Sequence, residues 1–307
     1  MDIKVLNLTK QYGAQKAVDN ISFDVKPGEI LGFLGPNGAG KTTTMKMIAQ
    51  YLDVEHGDIL IGGKSVKDNN LKRQIGYLPE SNPLYYEMPI MDYLEYVASL
   101  QGYPKEKIKD RVREMIKVCG LDVEKHKLIS ELSKGYKQRV GLAQAMIHDP
   151  EILILDEPTT GLDPNQIIEI RDLIKNLGRQ KTVLFSTHIL PEVEATCDRI
   201  LIINKGKIVA DGTASTLRQQ SQGQDVYHVR IEDGNIDDIV TSIRNMASVE
   251  SVNVLDAGKH KFEVVSKPNI PSNRHLFQLC VDRKWVITEL IPFETKLEDI
   301  FRDLTMN

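Results

Sequence analysis

The chain has 307 residues, of which 41% are hydrophobic and 27% charged, and its formal net charge is −4. These values are typical of a globular protein with about two domains, and they exclude a disordered, collagen-like or disulfide-built chain. A slightly acidic chain does not call for a nucleic-acid partner, and we expect none.

The three cysteines, Cys119, Cys197 and Cys280, are far apart in the sequence and odd in number. That spacing fits neither a disulfide framework nor a zinc site, and it favours buried thiols in a reducing compartment. No apolar run approaches the roughly 18 residues that cross a bilayer as a helix, and the first residues lack the apolar core of a signal peptide. We therefore expect a cytoplasmic chain, with any membrane-spanning part on a separate polypeptide.

The predicted elements divide the chain into regions with different patterns of secondary structure. Over residues 1–217 short β-rich runs alternate with helical patterns, which predicts an α/β fold with a largely parallel sheet. Within it, about residues 82–150 are almost wholly helical, with amphipathic stretches at 90–101 and 108–119. Residues 218–224 are polar and lack apolar side chains, which predicts a linker.

The residues after the linker, 225–307, are predicted to form a small accessory domain. The pattern indicates strand 226–232, helix 236–246, strands 249–255 and 261–266, helix 273–284 and strand 285–291. This β-α-β-β-α-β order is that of an α+β ferredoxin-like domain. Apolar residues at helical spacing predict a closing helix over 296–304. The sequence leaves open whether this domain packs and stabilises a dimer or binds a small regulatory ligand.

The strongest signal is a glycine-rich loop between a predicted strand at 30–34 and a predicted helix. It fits the pattern G-x-x-x-x-G-K-[ST], in which glycines let backbone N–H groups turn inward around phosphates. The N-terminus of the following helix adds partial positive charge. We expect Lys41 to reach the β- and γ-phosphates and the Thr42 hydroxyl to bind Mg²⁺. The predicted phosphate-binding residues are Gly35, Pro36, Asn37, Gly38, Ala39, Gly40, Lys41, Thr42 and Thr43.

A second signal is an unbroken apolar run at 152–155 that ends in Asp156 and Glu157. An all-apolar run is typical of a central parallel strand, and ligands bind at the carboxyl ends of such strands. Asp156 is therefore predicted to be a carboxylate of a Mg²⁺ site. Glu157 is predicted to be the base that polarises the water attacking the γ-phosphate. The alternative for two acids after a strand is a solvated turn.

Further motifs resemble those of the ABC ATPases, in the order in which that family shows them. Residues 131–140, ELSKGYKQRV, resemble the signature motif, and residues 160–163, TGLD, resemble the D-loop. His188 follows a predicted strand and resembles the switch histidine, and Tyr12 stands where the family stacks adenine. The resemblance covers residues 1–217 and implies a P-loop ABC ATPase domain with a mixed or parallel sheet and a helical subdomain.

The resemblance also implies ATP and Mg²⁺ as ligands, and two subunits that hold ATP between them. Ser133 and Gly135 would grip the γ-phosphate bound to the other protomer, Asp163 would act in the D-loop, and His188 would assist Glu157 in hydrolysis. Plainer roles stay open for these residues. Ser133 and Asp163 each suit the start of a helix, and His188 or Tyr12 suits ordinary packing. The resemblance permits either a homodimer or a pair with a paralogous ATPase subunit.

Two departures from the common motifs indicate which group within the family the chain resembles. Glu80 stands in the Q-loop where most of the family has glutamine, and it is a candidate for contact with Mg²⁺ or its waters. The signature has Lys134 and Tyr136 where glycine and glutamine are commonest. Both departures resemble the ATP-binding subunits of ABC-2-type exporters, and the overall look is closest to the gliding-motility-associated subunits.

This resemblance implies a motor subunit that couples ATP-driven dimer closure to a separate integral-membrane permease, bound at the cytoplasmic face of the cell membrane. Tyr85, Tyr86 and Met88 lie in a proline-bounded loop after the Q-loop, and such residues favour interfaces. We hypothesise that they contact the permease, with a place in the core of the helical region as the alternative. Other classes left open are a soluble ABC ATPase of translation or DNA repair, a regulatory ABC subunit that does not hydrolyse ATP, and a P-loop kinase.

Overall fold

A computed structural model of the chain describes residues 1–68, 70–222, 225–268, 270–293 and 297–306. The chain forms two compact units, one of Met1–Ala214 together with the segment that starts at Leu304, the other of Ser215–Asp303. Within the residues described, no helix has both the length and the apolar character needed to cross a bilayer.

The first unit alternates strands and helices along most of its length. Its strands are β1 (Ile3–Tyr12), β2 (Gln15–Val25), β3 (Ile30–Leu34), β4 (His56–Ile61), β5 (Lys64–Ser65), β6 (Ile75–Leu78), β7 (Ile152–Asp156), β8 (Thr182–Thr187), β9 (Arg199–Asn204) and β10 (Lys207–Gly212). Its helices are α1 (Lys41–Ile48), α2 (Ile90–Leu100), α3 (Ile108–Val118), α4 (Lys134–Met146), α5 (Pro164–Gly178) and α6 (Leu190–Thr196).

A six-stranded sheet in the order β10-β9-β3-β8-β7-β6 is the centre of the first unit. Its strands run parallel except at the β9–β10 edge pair. Every residue of β3, β7 and β8 is buried, as expected for apolar strands covered on both faces. Leu34 pairs with Thr187 and Asp156 pairs with Ser186. The carboxyl ends of three central strands therefore lie together at one edge of the sheet.

The prediction of a largely parallel sheet holds for this central sheet only. The first strands instead form a four-stranded antiparallel sheet in the order β2-β1-β4-β5. In β1 buried and exposed residues largely alternate, which is the pattern of an antiparallel strand with one covered face. The mixed sheet of the expected fold class is thus made of two separate sheets.

The three helices α2, α3 and α4 lie between β6 and β7, in the stretch predicted to be helical. In α3 the residues Ile108, Val112, Met115 and Ile116 are buried, which gives the apolar stripe of an amphipathic helix. Ser133 caps the N-terminus of α4, where its side chain accepts a hydrogen bond from the N–H of Tyr136. α4 therefore begins within the predicted signature motif.

The second unit has the predicted β-α-β-β-α-β order. After α7 (Ala214–Gln222) it contains β11 (Val226–Glu232), α8 (Ile236–Arg244), β12 (Val249–Asp256), β13 (Lys261–Ser266), α9 (Asn273–Arg283), β14 (Val286–Phe293) and α10 (Leu297–Met306). The sheet is antiparallel in the order β12-β13-β11-β14. Its core includes Val229, Ile239, Phe262 and Leu276. The ferredoxin-like prediction is confirmed.

The predicted linker at 218–224 is wrong over most of its length, because α7 runs through residue 222. Glutamine and arginine dominate this stretch, and both are good helix formers despite being polar. A polar composition without apolar residues therefore did not distinguish a loop from a helix. Residues 223, 224 and 296, which belong to the predicted linker and closing helix, lie outside the described residues.

Candidate functional site

The glycine-rich loop joins β3 to α1 and includes two residues with positive φ, Gly38 at 78° and Gly40 at 109°. A Cβ atom on Gly40 would stand 2.4 Å from the backbone oxygen of Ala17, so a larger residue does not fit there. Left-handed glycines let the loop curl so that successive N–H groups line a concavity suited to an anion. α1 begins directly after Gly40, and its N-terminus adds partial positive charge.

Lys41 is the first residue of α1 and is 5% exposed. Its Nζ donates hydrogen bonds to the backbone oxygens of Gly35 at 2.7 Å and Pro36 at 3.3 Å. The same Nζ lies 3.4 Å from Glu157 Oε1. These partners offset the cost of burying an ammonium group. Lys41 thus stands between the loop and the predicted base, where it can contact phosphate oxygens.

Asp156 ends β7 and is fully buried. Its Oδ1 accepts hydrogen bonds from Thr42 Oγ1 at 3.1 Å and from Ser186 Oγ at 2.6 Å. Its Oδ2 is buried without a hydrogen-bond partner in the part of the chain that the structure describes. A carboxylate oxygen beside a threonine hydroxyl is the kind of oxygen donor set that Mg²⁺ takes next to phosphates. Thr42 and Asp156 therefore fit this ion.

Glu157 has a left-handed backbone with φ of 51° and is 6% exposed. A non-glycine residue in that region costs on the order of 1–3 kcal/mol, and the hydrogen bond from its N–H to Ser186 Oγ at 2.9 Å holds it there. Its Oε2 accepts a hydrogen bond from Thr160 Oγ1 at 3.1 Å and lies 2.9 Å from His188 Nδ1. The carboxylate is therefore oriented by groups from two loops.

His188 follows β8, and its side chain is 42% exposed. An ionised carboxylate only accepts hydrogen bonds, so Nδ1 carries the proton in the pair with Glu157 Oε2. Nε2 is then the acceptor nitrogen of the ring. This arrangement is that of a base whose orientation is fixed by a neighbouring imidazole.

One cavity of about 470 Å³ brings these groups together. That volume lies within the roughly 300–1,000 Å³ of ligand pockets. The residues that line it are Tyr12, Gln15, Ala17, Asn37, Gly38, Ala39, Gly40, Lys41, Thr42, Thr43, Glu80, Glu157, Thr160 and His188. Of the other predicted site residues, Gly35 and Pro36 contact Lys41 through their carbonyl oxygens, and Asp156 contacts Thr42.

Two residues that line this cavity, Tyr12 and Glu80, make fewer contacts that support their predicted roles. Tyr12 is 51% exposed, and Lys10 Nζ lies 5.8 Å from its ring centroid. An exposed aromatic ring at the rim of a phosphate-binding cavity can stack on a base. Glu80 lines the cavity, but within the described residues no hydrogen bond joins it to Thr42 or Asp156. Its contact with Mg²⁺ stays a prediction.

The remaining three predicted site residues, Ser133, Gly135 and Asp163, likewise do not line the cavity of their own chain. Ser133 and Asp163 cap α4 and α5, and Asp163 forms a capping box with Gln166. A Cβ atom on Gly135 would stand 2.7 Å from Gln166 Cδ, so the start of α4 packs closely against the start of α5. We call Ser133, Gly135 and Asp163 the signature patch. The capping roles considered from the sequence are present in the structure.

Four residues of the site were missed by the sequence analysis, which assigned them no contact there: Gln15, Ala17, Thr160 and Ser186. Ser186 is fully buried and links Asp156 to Glu157. The available signal was a hydroxyl within an otherwise apolar predicted strand, since buried polar groups need partners. Gln15 and Ala17 come from β2, and no local pattern places that strand beside the phosphate loop.

Comparisons with known proteins show which family the chain resembles. A sequence model of the ABC transporter family matches residues 18–160, and a model of an AAA domain matches residues 128–193. The chain is 35% identical to the linearmycin resistance ATP-binding protein LnrL of Bacillus subtilis (strain 168), over 97% of this chain and 96% of that protein. It is 40% identical to the bacitracin transport ATP-binding protein BcrA of Bacillus licheniformis, over 72% of each chain.

A solved structure shares the fold of the first unit. It is the dimeric structure of a post-hydrolysis state of an ATP-binding cassette bound to ADP and Pi. The TM-score is 0.63 at 25% identity, over 69% of this chain and 98% of that chain.

Proposed function

The chain belongs to the ABC transporter family of ATP-binding proteins and is an ATPase, and from that premise we propose that it is the motor subunit of an ABC-2-type exporter. In this proposal two copies, or one copy and a paralogue, bind ATP and drive a separate integral-membrane permease from its cytoplasmic face. The observation that carries the hydrolytic part is the arrangement of Lys41, Glu157 and His188 around one cavity.

The proposed hydrolysis uses the contacts of the cavity directly. The loop N–H groups and Lys41 hold the phosphates, and Tyr12 stacks on the adenine. Mg²⁺, bound by Thr42 and Asp156, would neutralise charge on the β- and γ-phosphates. Glu157 accepts a proton from the attacking water, and His188 holds the carboxylate in place through the contact of 2.9 Å. The Lys41 ammonium lies 3.4 Å from Glu157 Oε1, so the phosphate-binding cation and the proposed base stand side by side.

The signature patch supports a site that two subunits complete together. Ser133, Gly135 and Asp163 lie outside the cavity, yet Ser133 stands at a helix N-terminus, where N–H groups favour an anion. A patch that cannot reach the phosphates of its own chain can reach those of a second copy. The related cassette in its post-hydrolysis state is a dimer, which supports the same arrangement here.

The proposal of a permease partner rests on an aromatic surface at the Q-loop and the helical region. A groove of about 250 Å³ is lined by residues of the β6 end, the α1 end and α4, including Tyr51, Tyr77 and Pro83. Beyond it Tyr85 and Tyr86 are 56% and 46% exposed. Exposed aromatics beside a groove are typical of interfaces. We therefore propose that the permease contacts this groove as well as Tyr85, Tyr86 and Met88.

Transport out of the cell is proposed from the relatives. One is described as a bacitracin transport protein and another as a linearmycin resistance protein, and resistance to an antibiotic fits its removal from the cell. The second of these covers nearly the whole chain, including the second unit. Both the membrane location and the direction of transport follow from this proposal.

Capture from native membranes tests the proposed partner. Tagged Glu157→Gln protein, purified from mildly solubilised membranes with ATP and Mg²⁺, is expected to bring down a polypeptide with several spanning helices. Lys41→Ala protein, treated identically, is the matched control and should bring down less of it. Recovery of ribosomal or DNA-repair proteins instead would contradict the exporter proposal.

The aromatic surface is tested by a double substitution. Tyr85→Ala with Met88→Ala is expected to abolish capture of the permease while leaving the ATPase activity of the purified subunit unchanged. Leu100→Ala with Val123→Ala removes two other exposed apolar side chains, 67% and 85% exposed, and should leave capture intact. Equal capture by both double variants would contradict the proposed contact.

A further inference from the structure

A buried glutamate lies behind the proposed catalytic pair, on the helix that follows His188. Glu192 in α6 is 2% exposed. Its Oε2 accepts hydrogen bonds from Thr159 Oγ1 at 2.7 Å and from Thr187 Oγ1 at 2.8 Å. Thr159 and Thr187 are 1% and 0% exposed. Bulk water therefore does not compete for these hydrogen bonds.

The two hydroxyl groups lie beside Glu157 and His188, one in the loop after β7 and one at the end of β8. Thr159 follows Glu157 by two positions, and Thr187 immediately precedes His188. Glu157 Oε2 and His188 Nδ1 are 2.9 Å apart. The two segments are thus joined twice, once through the pair that faces the cavity and once behind it through Glu192. Loss of the rear connection would let the front pair separate.

Thr159 and Thr187 each donate a hydroxyl proton to Glu192 Oε2. Thr187 Oγ1 accepts a hydrogen bond from the N–H of Ile189 at 3.1 Å. A hydroxyl group has one proton to donate, and Thr187 donates it to Glu192. The carboxylate therefore orients the Thr187 side chain at the start of the turn that carries His188.

Stability alone does not account for a glutamate at this position. Glu192 Oε1 is buried and has no hydrogen-bond partner among the residues that the structure describes. A buried carboxylate oxygen without a partner costs free energy, and a well-packed apolar side chain would avoid that cost. Polar groups kept in a core at such a cost are typical of functional sites.

We propose that Glu192 is a positioning residue for ATP hydrolysis. By joining Thr159 to Thr187 it keeps His188 within hydrogen-bond distance of Glu157. It does not line the cavity, and it acts through His188. This inference deepens the proposed function, since it rests on the roles proposed there for Glu157 and His188.

A double-mutant cycle in the full-length protein tests this role. Glu192→Ala is expected to lower kcat by about tenfold or more, with the KM for ATP unchanged, because it disturbs orientation and not nucleotide contacts. In a His188→Ala background the same change should lower kcat by at most about twofold further, since no imidazole remains to be positioned. A role confined to stability would give effects that multiply.

The chain offers matched controls for this cycle. Thr196→Val removes a buried hydroxyl from the same helix, one without a hydrogen-bond partner among the described residues, and should leave kcat unchanged. Thr159→Val and Thr187→Val each remove one of the two hydrogen bonds and keep Glu192. If Glu192→Ala protein does not fold, the same cycle run with these two variants gives the answer.

The outcomes separate failure of this inference from failure of the proposed function. If His188→Ala lowers kcat and the Glu192→Ala effect multiplies with it in full, Glu192 does not act through His188 and this inference alone is overturned. If Thr196→Val lowers kcat as much as Glu192→Ala does, it is overturned as well. If His188→Ala keeps wild-type kcat, both the proposed role of His188 and this inference are overturned.

Discussion

The sheets of the two units differ in where they place charge. At the carboxyl edge of the central sheet, Lys41, Asp156, Glu157 and Glu192 are each at most 6% exposed. In the second unit the ionic groups lie on the solvent side of the sheet, as in the pair of Lys261 and Glu289 at 2.8 Å. Among the described residues of that unit, the buried polar side chains are the serines Ser248, Ser266 and Ser272.

This difference shows which region the chain maintains for chemistry. Burying a charge costs free energy unless it is paired and hydrogen-bonded, whereas an exposed ion pair contributes little either way. In the first unit, buried charged side chains and their free-energy cost lie at one edge of the central sheet, where three strand ends meet. Among the described residues of the second unit no charged residue is buried as a whole, and its core of Tyr227, Val229, Phe262 and their neighbours is mainly apolar.

The largest expected effect is at the buried base. Glu157→Gln keeps the shape of the side chain but accepts no proton, so we expect the rate of ATP hydrolysis to fall by about 10²–10⁴-fold while ATP still binds. Steady-state phosphate release and ATP binding measure the two quantities. Glu106→Gln, at an exposed glutamate of the helical region, is the control. Turnover near the wild-type rate in Glu157→Gln would remove the proposed base.

A core substitution in the second unit should have a large effect on stability and none on ATP binding. Phe262 is fully buried, and Phe262→Ala is expected to destabilise that unit by about 3–5 kcal/mol. The affinity of the first unit for ATP should stay unchanged, because its site and core are its own. Denaturant unfolding and binding of a fluorescent ATP analogue check this. Loss of ATP binding by the folded variant would contradict the separation of the two regions.

Two buried serines, one in each unit, allow matched serine-to-alanine substitutions. Ser186→Ala leaves Asp156 Oδ1 and the Glu157 N–H each without one partner, so we expect about 1–3 kcal/mol lower stability and about tenfold slower hydrolysis. Ser272→Ala removes a hydroxyl that donates to the Ser248 backbone oxygen at 3.0 Å. It should cost similar stability with no change in hydrolysis. Equal rates for the two variants would contradict the special role of the central-sheet edge.

The smallest effect is expected at the exposed pair of the second unit. The hydrogen bond from Lys261 lowers the pKa of the Glu289 carboxyl below its ordinary value. The small stabilisation of the folded state that results is fully present above the ordinary pKa, and it is lost as pH falls through the lowered pKa. Lys261→Ala should let the pKa of Glu289 rise towards its ordinary value, with the melting temperature and ATP hydrolysis unchanged. A pH titration followed by NMR measures the pKa. A clear loss of hydrolysis would contradict the assignment of this face as plain solvated surface.

Local patterns predicted much of this molecule. The phosphate loop follows from two glycines and a lysine between an apolar strand and an amphipathic helix, and these signals lie within one short segment. The order of elements in the second unit was predicted for the same reason. The convergence of Asp156 and His188 with the loop followed from strands that end in polar residues. The roles of these residues in catalysis stay predictions.

Contacts between distant segments could not be predicted in the same way. Ser186 and Glu192 contact residues at or after the end of another strand, and a single sequence does not show which strand ends meet. The antiparallel sheet of the first unit was missed because pairing depends on register as well as on propensity. The end of α7 was missed because residues 218–222 have no apolar stripe that would indicate a helix.

In the proposed dimer, the signature patch of one copy completes the cavity of the other. Light scattering of Glu157→Gln protein, with and without ATP and Mg²⁺, tests it most directly. We expect a monomer without nucleotide and a dimer with it, and a monomer in both cases when Ser133→Arg is added to place a bulky side chain on the patch. A dimer that forms equally well with Ser133→Arg, or no dimer in either protein, would contradict this account.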